Sequence, residues 1–308
     1  MNTPTQIQPD ERADAAAEAA PVDDLAVIIP AYNEEQGVAD AVRQVCDGLA
    51  TSGLRYSVIV VDDGSTDGTA AAAEQTGVQV LRLGHNGGYG AALKAGIKAT
   101  RSTFVAITDA DGTYPGERLP ELYQEAQGVE MVVGARAPNS AGIQSSRRPA
   151  KRFLTWLASY LSGTEIPDLN SGLRVIRRSS LMRFLPILPS GFSFTTTITL
   201  SLLCTERRVS YVPIEYRRRI GRSKIRPVDF FSFVILVLRV VLLFNPLKVF
   251  LPAGAVLFVF GLAKFLFDIF VNWNLSESAV MAILAAVILW TVGSLADMIA
   301  RLQLSARD

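Results

Sequence analysis

The sequence predicts an α/β domain followed by a pair of membrane-spanning helices. Three observations carry this expectation. Short β-branched runs alternate with helix-periodic segments between residues 25 and 136. Clusters of small polar and acidic residues sit where those runs end. The last third of the chain contains two long apolar stretches. The chain of 308 residues is 49% apolar and 19% charged, with a mean hydropathy of +0.27. A sequence this apolar can bury a core, which excludes disorder of the whole chain. Two cysteines, Cys46 and Cys204, staple too little of it for a disulfide scaffold.

Residues 1–24 are rich in Ala, Asp, Glu and Pro and read as a disordered tail without a signal peptide. LAVIIP (25–30) then reads as a buried strand ending at a proline. Glu34 to Leu49 has helical periodicity through Val38, Val42, Val45 and Leu49. YSVIVVDD (56–63) is a continuous β-branched run, as strands of a parallel sheet are. Thr69–Gln75 reads as a short helix, VQVLRL (78–83) as a strand and Tyr89–Thr100 as a helix behind Gly87-Gly88. TFVAITD (103–109) is a further strand, Arg118–Gln127 a helix and VEMVVGAR (129–136) a strand. The alternation implies a mostly parallel sheet with helices on both faces, and a single domain over residues 25–226.

PVDFFSFVILVLRVVLLF (227–244) is apolar on most sides and reads as a helix lying at a membrane surface, with a third span as the rival reading. Residues 247–271 form the first expected span; Lys264 and Asp268 interrupt it at a spacing that lets them pair. Residues 279–300 form the second, with 18 uncharged residues from Ala279 to Ala296. Arg239 and Lys248 precede the first span, Arg301 and Arg307 follow the second, and the connector 272–278 has no Lys or Arg. The positive-inside rule then puts both ends of the hairpin, and the domain, on the cytoplasmic side. A buried helical hairpin in a soluble core is the competing reading.

The charge is strongly divided. Residues 1–135 carry 8 Lys/Arg against 20 Asp/Glu, and residues 136–226 carry 17 against 4. The basic block is expected to draw anions. It abuts a membrane-surface helix and contains no nucleic-acid motif, so a lipid phosphate suits it better than nucleic acid.

In parallel sheets ligands bind at the carboxyl ends of strands. Those ends carry Pro30, Tyr32 and Glu34, then Asp62-Asp63-Gly64-Ser65, then Asp109-Ala110-Asp111. Carboxylates converging there repel unless a cation or hydrogen-bond donors lie between them. Asp109-x-Asp111 suits Mg²⁺ or Mn²⁺, which binds through one or two carboxylates plus substrate phosphates. Asp62-Asp63 reads both as a turn and as a hydrogen-bonding site for a base and ribose. Asp67 reads as a helix cap, and His85, the single histidine, as a loop residue. The chain has no dinucleotide fingerprint, no P-loop and no G-x-S-x-G.

The ordered set IIPAYNEE, VVDDGSTDGT, NGGYGAALKAGI, ITDADGTYP, DLNSGLR and GRSKI, followed by the surface helix and two spans, resembles the family-2 glycosyltransferases of GT-A fold. Within them it resembles the polyprenyl-phosphate branch, the dolichyl-phosphate mannose or glucose synthase-like enzymes. The resemblance extends over roughly residues 25–303. It implies a Rossmann-like GT-A domain moving a hexose from a nucleotide sugar, GDP-mannose or UDP-glucose, to dolichyl or undecaprenyl phosphate. It implies that Pro30, Tyr32, Glu34, Asp62 and Asp63 hold the nucleotide, and that Asp109 and Asp111 hold Mg²⁺ or Mn²⁺ on the diphosphate. Arg136, Arg147, Arg148, Ser223 and Lys224 would bind the acceptor phosphate. Asp168 takes the position of a base or acceptor-orienting carboxylate. Thr113 stands where the family often has Gln or another polar residue. A membrane-anchored transferase with a non-lipid acceptor and a non-catalytic nucleotide-sugar-binding subunit are the alternatives. A processive polysaccharide synthase is disfavoured, because none of Trp156, Trp273 and Trp290 follows an arginine. A homo-oligomer is left open.

Overall fold

A computed structural model of the chain describes residues 23–136, 148–191, 193–217, 229–272 and 276–305. The apolar run after Asp24 becomes the centre of a seven-stranded sheet. Its strands are β1 (Leu25–Ala31), β2 (Tyr56–Asp62), β3 (Gln79–Arg82), β4 (Phe104–Ile107), β5 (Met131–Arg136), β6 (Arg174–Arg177) and β7 (Val209–Ile214), in the order β3-β2-β1-β4-β6-β5-β7. Every residue of β1 is buried. Leu25, Val27 and Ile29 enter the core on one face and Ile28 the core on the other, the alternation a strand imposes. Each such aliphatic side chain contributes about 1.5–3 kcal/mol by burial.

Four helices pack around the first five strands: α1 (Val38–Ala50), α2 (Thr69–Glu74), α3 (Tyr89–Ala99) and α4 (Leu119–Ala126). α1 buries Val38, Val42, Val45 and Leu49, the expected stripe. It begins at Val38 rather than Glu34; a turn precedes it, in which the Glu34 carbonyl accepts from Gly37 and Val38 N–H.

The second half holds α5 (Arg148–Ser162), α6 (Arg178–Phe184), α7 (Phe194–Cys204) and α8 (Asp229–Phe244). None of α5, α6, α7, β6 and β7 is predicted from the sequence. β6 is only four residues with an arginine at each end. α7 is buried on every side, so FTTTITLSLLC shows no apolar stripe to betray a helix. The sheet also departs from all-parallel at β6, which runs antiparallel to both β4 and β5.

α8 docks on the domain. Val237, Val240, Val241 and Phe244 are buried in the core shared with α5, α6 and α7. Phe244 meets Phe184 edge to face at 6.1 Å. Ile235, Leu242 and Leu243 are exposed. That explains a helix apolar on most sides: one side packs on protein and another stays open.

α9 (Leu247–Phe267) runs on through a π-helical turn, Asp268–Asn272, and α10 (Glu277–Ser305) returns beside it. The stretches Leu247–Val271 and Glu277–Leu302 are long and apolar enough to cross a membrane. Only 11% and 17% of their most apolar windows are buried, which argues against core helices of a soluble fold. Gly254 faces Trp290, Gly261 faces Ala282 and Ile283, and Gly293 faces Phe250, so small residues let the two helices approach. Lys264 and Asp268 pair as expected, at 3.5 Å, and the Ser276 hydroxyl donates to Asp268.

Candidate active site

The site begins with strand direction. β1, β2 and β4 are parallel, and Ala31 lies in register with Asp62. β5 and β7 point the same way. Because β6 runs against them, the turn that enters it, residues 168–173, arrives at the same sheet edge. Chain segments distant in sequence therefore meet there around a cavity of about 360 Å³. Pro30, Tyr32, Glu34, Asp63, Asp109 and Asp111 line it from the acidic half of the sequence. Arg136, Asn170, Gly172 and Tyr216 line it from the basic half.

The loops after β1 and β2 brace one another. Asn33 N–H donates to Ser65 Oγ at 3.0 Å, and Thr66 N–H donates to Asn33 Oδ1 at 2.9 Å. Glu34 N–H donates to Thr69 Oγ1 at 2.8 Å. Asp67 accepts from the Thr69 N–H at 3.0 Å, just before α2. Burial works against its charge, but the bonds from Thr69 and Glu35 outweigh it and hold its pKa below the usual carboxylate value.

Asp62 and Asp63 part company. Asp62 is buried and folds its own turn, accepting from Ser65 N–H at 3.1 Å, and it does not line the cavity. Asp63 does line it, and its two oxygens accept from Gly87 and Gly88 N–H, each at 2.8 Å. Gly88 has φ +95°, and a Cβ there would lie 2.7 Å from the Ser190 carbonyl oxygen. Glycine is required at that point on both counts. His85 is exposed and outside the cavity lining.

The carboxylate pair after β4 is held by hydroxyls. Tyr89 Oη donates to Asp109 Oδ1 at 3.0 Å. Asp111 is buried, and its Oδ1 accepts from Thr113 N–H at 3.1 Å and from Thr113 Oγ1 at 2.6 Å. Gly172 approaches Asp109 from the turn that enters β6: a Cβ there would lie 2.8 Å from Asp109 Oδ2 and 2.9 Å from Oδ1. Gly172 N–H donates to Tyr114 Oη at 2.7 Å. Burial, followed by the charge of Asp109, pushes the Tyr89 hydroxyl well above its ordinary pKa. Burial likewise raises Tyr114. Both remain neutral hydroxyls at working pH.

On the basic side, Asp168 is 1% exposed and locked to Arg136. Arg136 Nε donates to Asp168 Oδ2 at 2.6 Å and Nη2 to Oδ1 at 2.8 Å; its backbone N–H adds a third bond at 3.2 Å. The Tyr216 ring lies 5.4 Å from the guanidinium. Burial disfavours the charge of Arg136, but the hydrogen bonds of Asp168 outweigh it, so its pKa is raised. Asp168 does not line the cavity, whereas Arg136 does. Arg174 is fully buried and ties the entering turn together, donating to the carbonyls of Leu169, Ser171 and Thr195 and to Thr199 Oγ1. Arg217 is bound into the domain by Gln44 and Glu117.

The structure thus gathers Pro30, Tyr32, Glu34, Asp63, Asp109, Asp111 and Arg136 in one cavity. Asp62 and Asp168 stand behind it. Arg147, Ser223 and Lys224 lie outside the described residues, as do residues 1–22, and Arg148 is placed only as the first residue of α5. Sequence reasoning assigned no role to Tyr89, Tyr114, Asn170 or Tyr216. The first three sit inside motifs already singled out, NGGYG, DADGTYP and DLNSGLR; Tyr216 had no signal.

The donor set fits a hard divalent ion. Two carboxylates one residue apart face a cavity large enough for phosphates, and among the described residues no group of three or more His, Cys, Asp or Glu could cage a metal alone. Mg²⁺ and Mn²⁺ commonly use such a pair and take their remaining ligands from substrate and water.

The fold is that of a GT-A glycosyltransferase. Glucosyl-3-phosphoglycerate synthase from Mycobacterium tuberculosis, solved with Mn²⁺, UDP and phosphoglyceric acid, superposes with a TM-score of 0.56 at 22% identity, over 77% of this chain and 84% of that one. Residues 26–185 match glycosyl transferase family 2, and residues 245–302 match the GtrB C-terminal hairpin. The chain belongs to glycosyl transferase family 2 and is a sugar-transferring enzyme. It is 32% identical to a dolichyl-phosphate hexose transferase of Haloferax volcanii, over 67% of this chain and 88% of that protein. It is also 32% identical to an undecaprenyl-phosphate 4-deoxy-4-formamido-L-arabinose transferase of Pseudomonas paraeruginosa, over 56% of this chain and 55% of that one.

Proposed function

We propose that the protein transfers a hexose from a nucleoside diphosphate sugar, GDP-mannose or UDP-glucose, to a polyprenyl phosphate at the cytoplasmic face of a membrane. The observation that carries this reading is the cavity itself, where a carboxylate pair faces an arginine, on a domain joined to two apolar helices. Relatives named for dolichyl and undecaprenyl phosphate support the lipid acceptor.

Pro30, Tyr32, Glu34 and Asp63 would hold the nucleoside, with Asp62 shaping the turn beneath. Asp109 and Asp111 would hold Mg²⁺ or Mn²⁺, which when bound neutralises charge on the departing diphosphate. Arg136 would meet the lipid phosphate, joined by Arg147, Arg148, Ser223 and Lys224. Its Nε and Nη2 are spent on Asp168, which aims the guanidinium. A phosphate is ionised at neutral pH, with a second pKa of about 6. It therefore needs little help from a base, and Asp168 acts by orienting Arg136. Direct displacement at the anomeric carbon would invert its configuration, with rate gained from positioning and electrostatics. α8 would lie at the membrane surface with Ile235, Leu242 and Leu243 toward lipid. The exposed stack of Phe153, Trp156 and Tyr160 on α5 suits the same interface.

The test is transfer from radiolabelled UDP- and GDP-sugars to polyprenyl phosphate, with Mn²⁺ or Mg²⁺ and with EDTA. One donor should give a labelled lipid, abolished by EDTA and by Asp111→Ala in a protein that still folds. Absence of a lipid product from every donor, with nucleotide-sugar binding intact, would favour a soluble acceptor or a non-catalytic subunit. Full turnover by Asp111→Ala would remove the metal assignment.

A further inference from the structure

Tyr89 belongs to no assigned role. It follows the Gly87-Gly88 pair that Asp63 holds, and its ring packs against the core beneath the cavity. Its hydroxyl reaches Asp109 Oδ1 at 3.0 Å. Across the carboxylate stands Gly172, whose missing side chain leaves room for both Asp109 oxygens. Asp109 is thereby held from two sides, by a hydroxyl and by a bare α-carbon. Asp111 has its own support in Thr113, through a backbone N–H and a hydroxyl. Each member of the pair thus accepts from a neighbouring hydroxyl on its Oδ1.

We propose that Tyr89 is a positioning residue for Asp109, and that its hydroxyl sets the affinity of the carboxylate pair for a divalent cation. The proposal rests on the assignment of Asp109 and Asp111 to that cation. Ligating carboxylates are commonly oriented by such outer hydrogen bonds, and losing one typically weakens metal binding or activity by about 10–100-fold. The competing account is that Tyr89 is a core ring whose hydroxyl merely finds the nearest acceptor. Tyr89→Phe separates the two, because it keeps the ring and removes only the donor.

The experiment is a titration of Mn²⁺ into the full-length wild type, Tyr89→Phe and Asp111→Ala, each with UDP and with GDP, followed by the electron paramagnetic resonance signal of free Mn²⁺. Thermal melting and the Mn²⁺ dependence of transfer are recorded alongside. Mn²⁺ binding to Tyr89→Phe should be about 10–100-fold weaker, with the melting curve nearly unmoved and the rate restored as Mn²⁺ is raised. Equal Mn²⁺ affinity in Tyr89→Phe and wild type would overturn the proposal and leave the metal assignment standing. Weaker binding with a lowered melting temperature and no restoration at high Mn²⁺ would overturn it in favour of a packing role. A wild type that binds no Mn²⁺ with either nucleotide would overturn both the proposal and the metal assignment.

Discussion

The two walls of the cavity are built by different means. On the acidic wall, neutral donors close to a strand end are among the partners of three carboxylates: backbone N–H groups for Asp63, a tyrosine for Asp109, a threonine for Asp111. On the basic wall the key group is an arginine held by a buried carboxylate 32 residues away in sequence. The first arrangement presents carboxylates to the cavity, as would suit a cation and its diphosphate. The second offsets much of its charge internally and gains a fixed orientation instead, as suits a phosphate that must arrive at one angle.

Substitutions should separate these designs. The largest effect is expected where the walls touch. Gly172→Ala would place a methyl within 3 Å of both Asp109 oxygens and of the Tyr114 ring. Displacing the carboxylate by about 1 Å should cost on the order of 10²-fold in kcat. Steady-state kinetics with a circular dichroism melt would check it, and an unchanged kcat would show that the walls do not constrain each other.

Asp168→Asn comes next. It keeps the shape but removes the charge opposite Arg136, and breaking a buried pair typically costs roughly 3–5 kcal/mol of stability. The transfer rate should fall by a similar factor at every pH from 6 to about 9, since orientation and not proton transfer is lost. A loss confined to one side of that range would restore Asp168 as a base.

The smallest effect belongs to Asp67, which accepts from Thr69 at the start of α2 and lies outside the cavity lining. Its pKa is depressed on folding, so its contribution to stability is present above the ordinary carboxylate pKa of about 3.9 and fades as pH falls through the folded value. Asp67→Asn should flatten that part of the acid unfolding curve only slightly, because the exposed carboxylate is screened by solvent, and leave transfer rates at pH 7 unchanged. An equal loss at pH 3 and pH 7 would contradict it.

The same contrast explains what the sequence made legible. The acidic wall follows strands that announce themselves: LAVIIP, YSVIVVDD and TFVAITD are apolar runs, and their carboxyl ends locate Glu34, Asp63 and the pair Asp109 and Asp111 in turn. The basic wall depends on β6, a four-residue strand of RVIR that reverses the chain direction. No periodicity marks so short an element, and without it residues 168–173 have no predicted place. α7 hid for a related reason, being buried on all sides. Asp62 and Asp63 look alike in sequence, yet successive residues at a strand end point opposite ways, and only Asp63 reaches the cavity. Tyr216 enters from the end of β7, beyond any motif.

The central claim is that one cavity has a donor wall and an acceptor wall. Arg136→Gln tests it most directly, by measuring nucleotide affinity and the KM for polyprenyl phosphate in the same preparation. Nucleotide affinity should stay within about twofold while the acceptor KM rises about tenfold or more, as expected for a lost charge-assisted contact of about 1.5–3 kcal/mol. A variant that loses nucleotide affinity and keeps its acceptor KM would contradict the account.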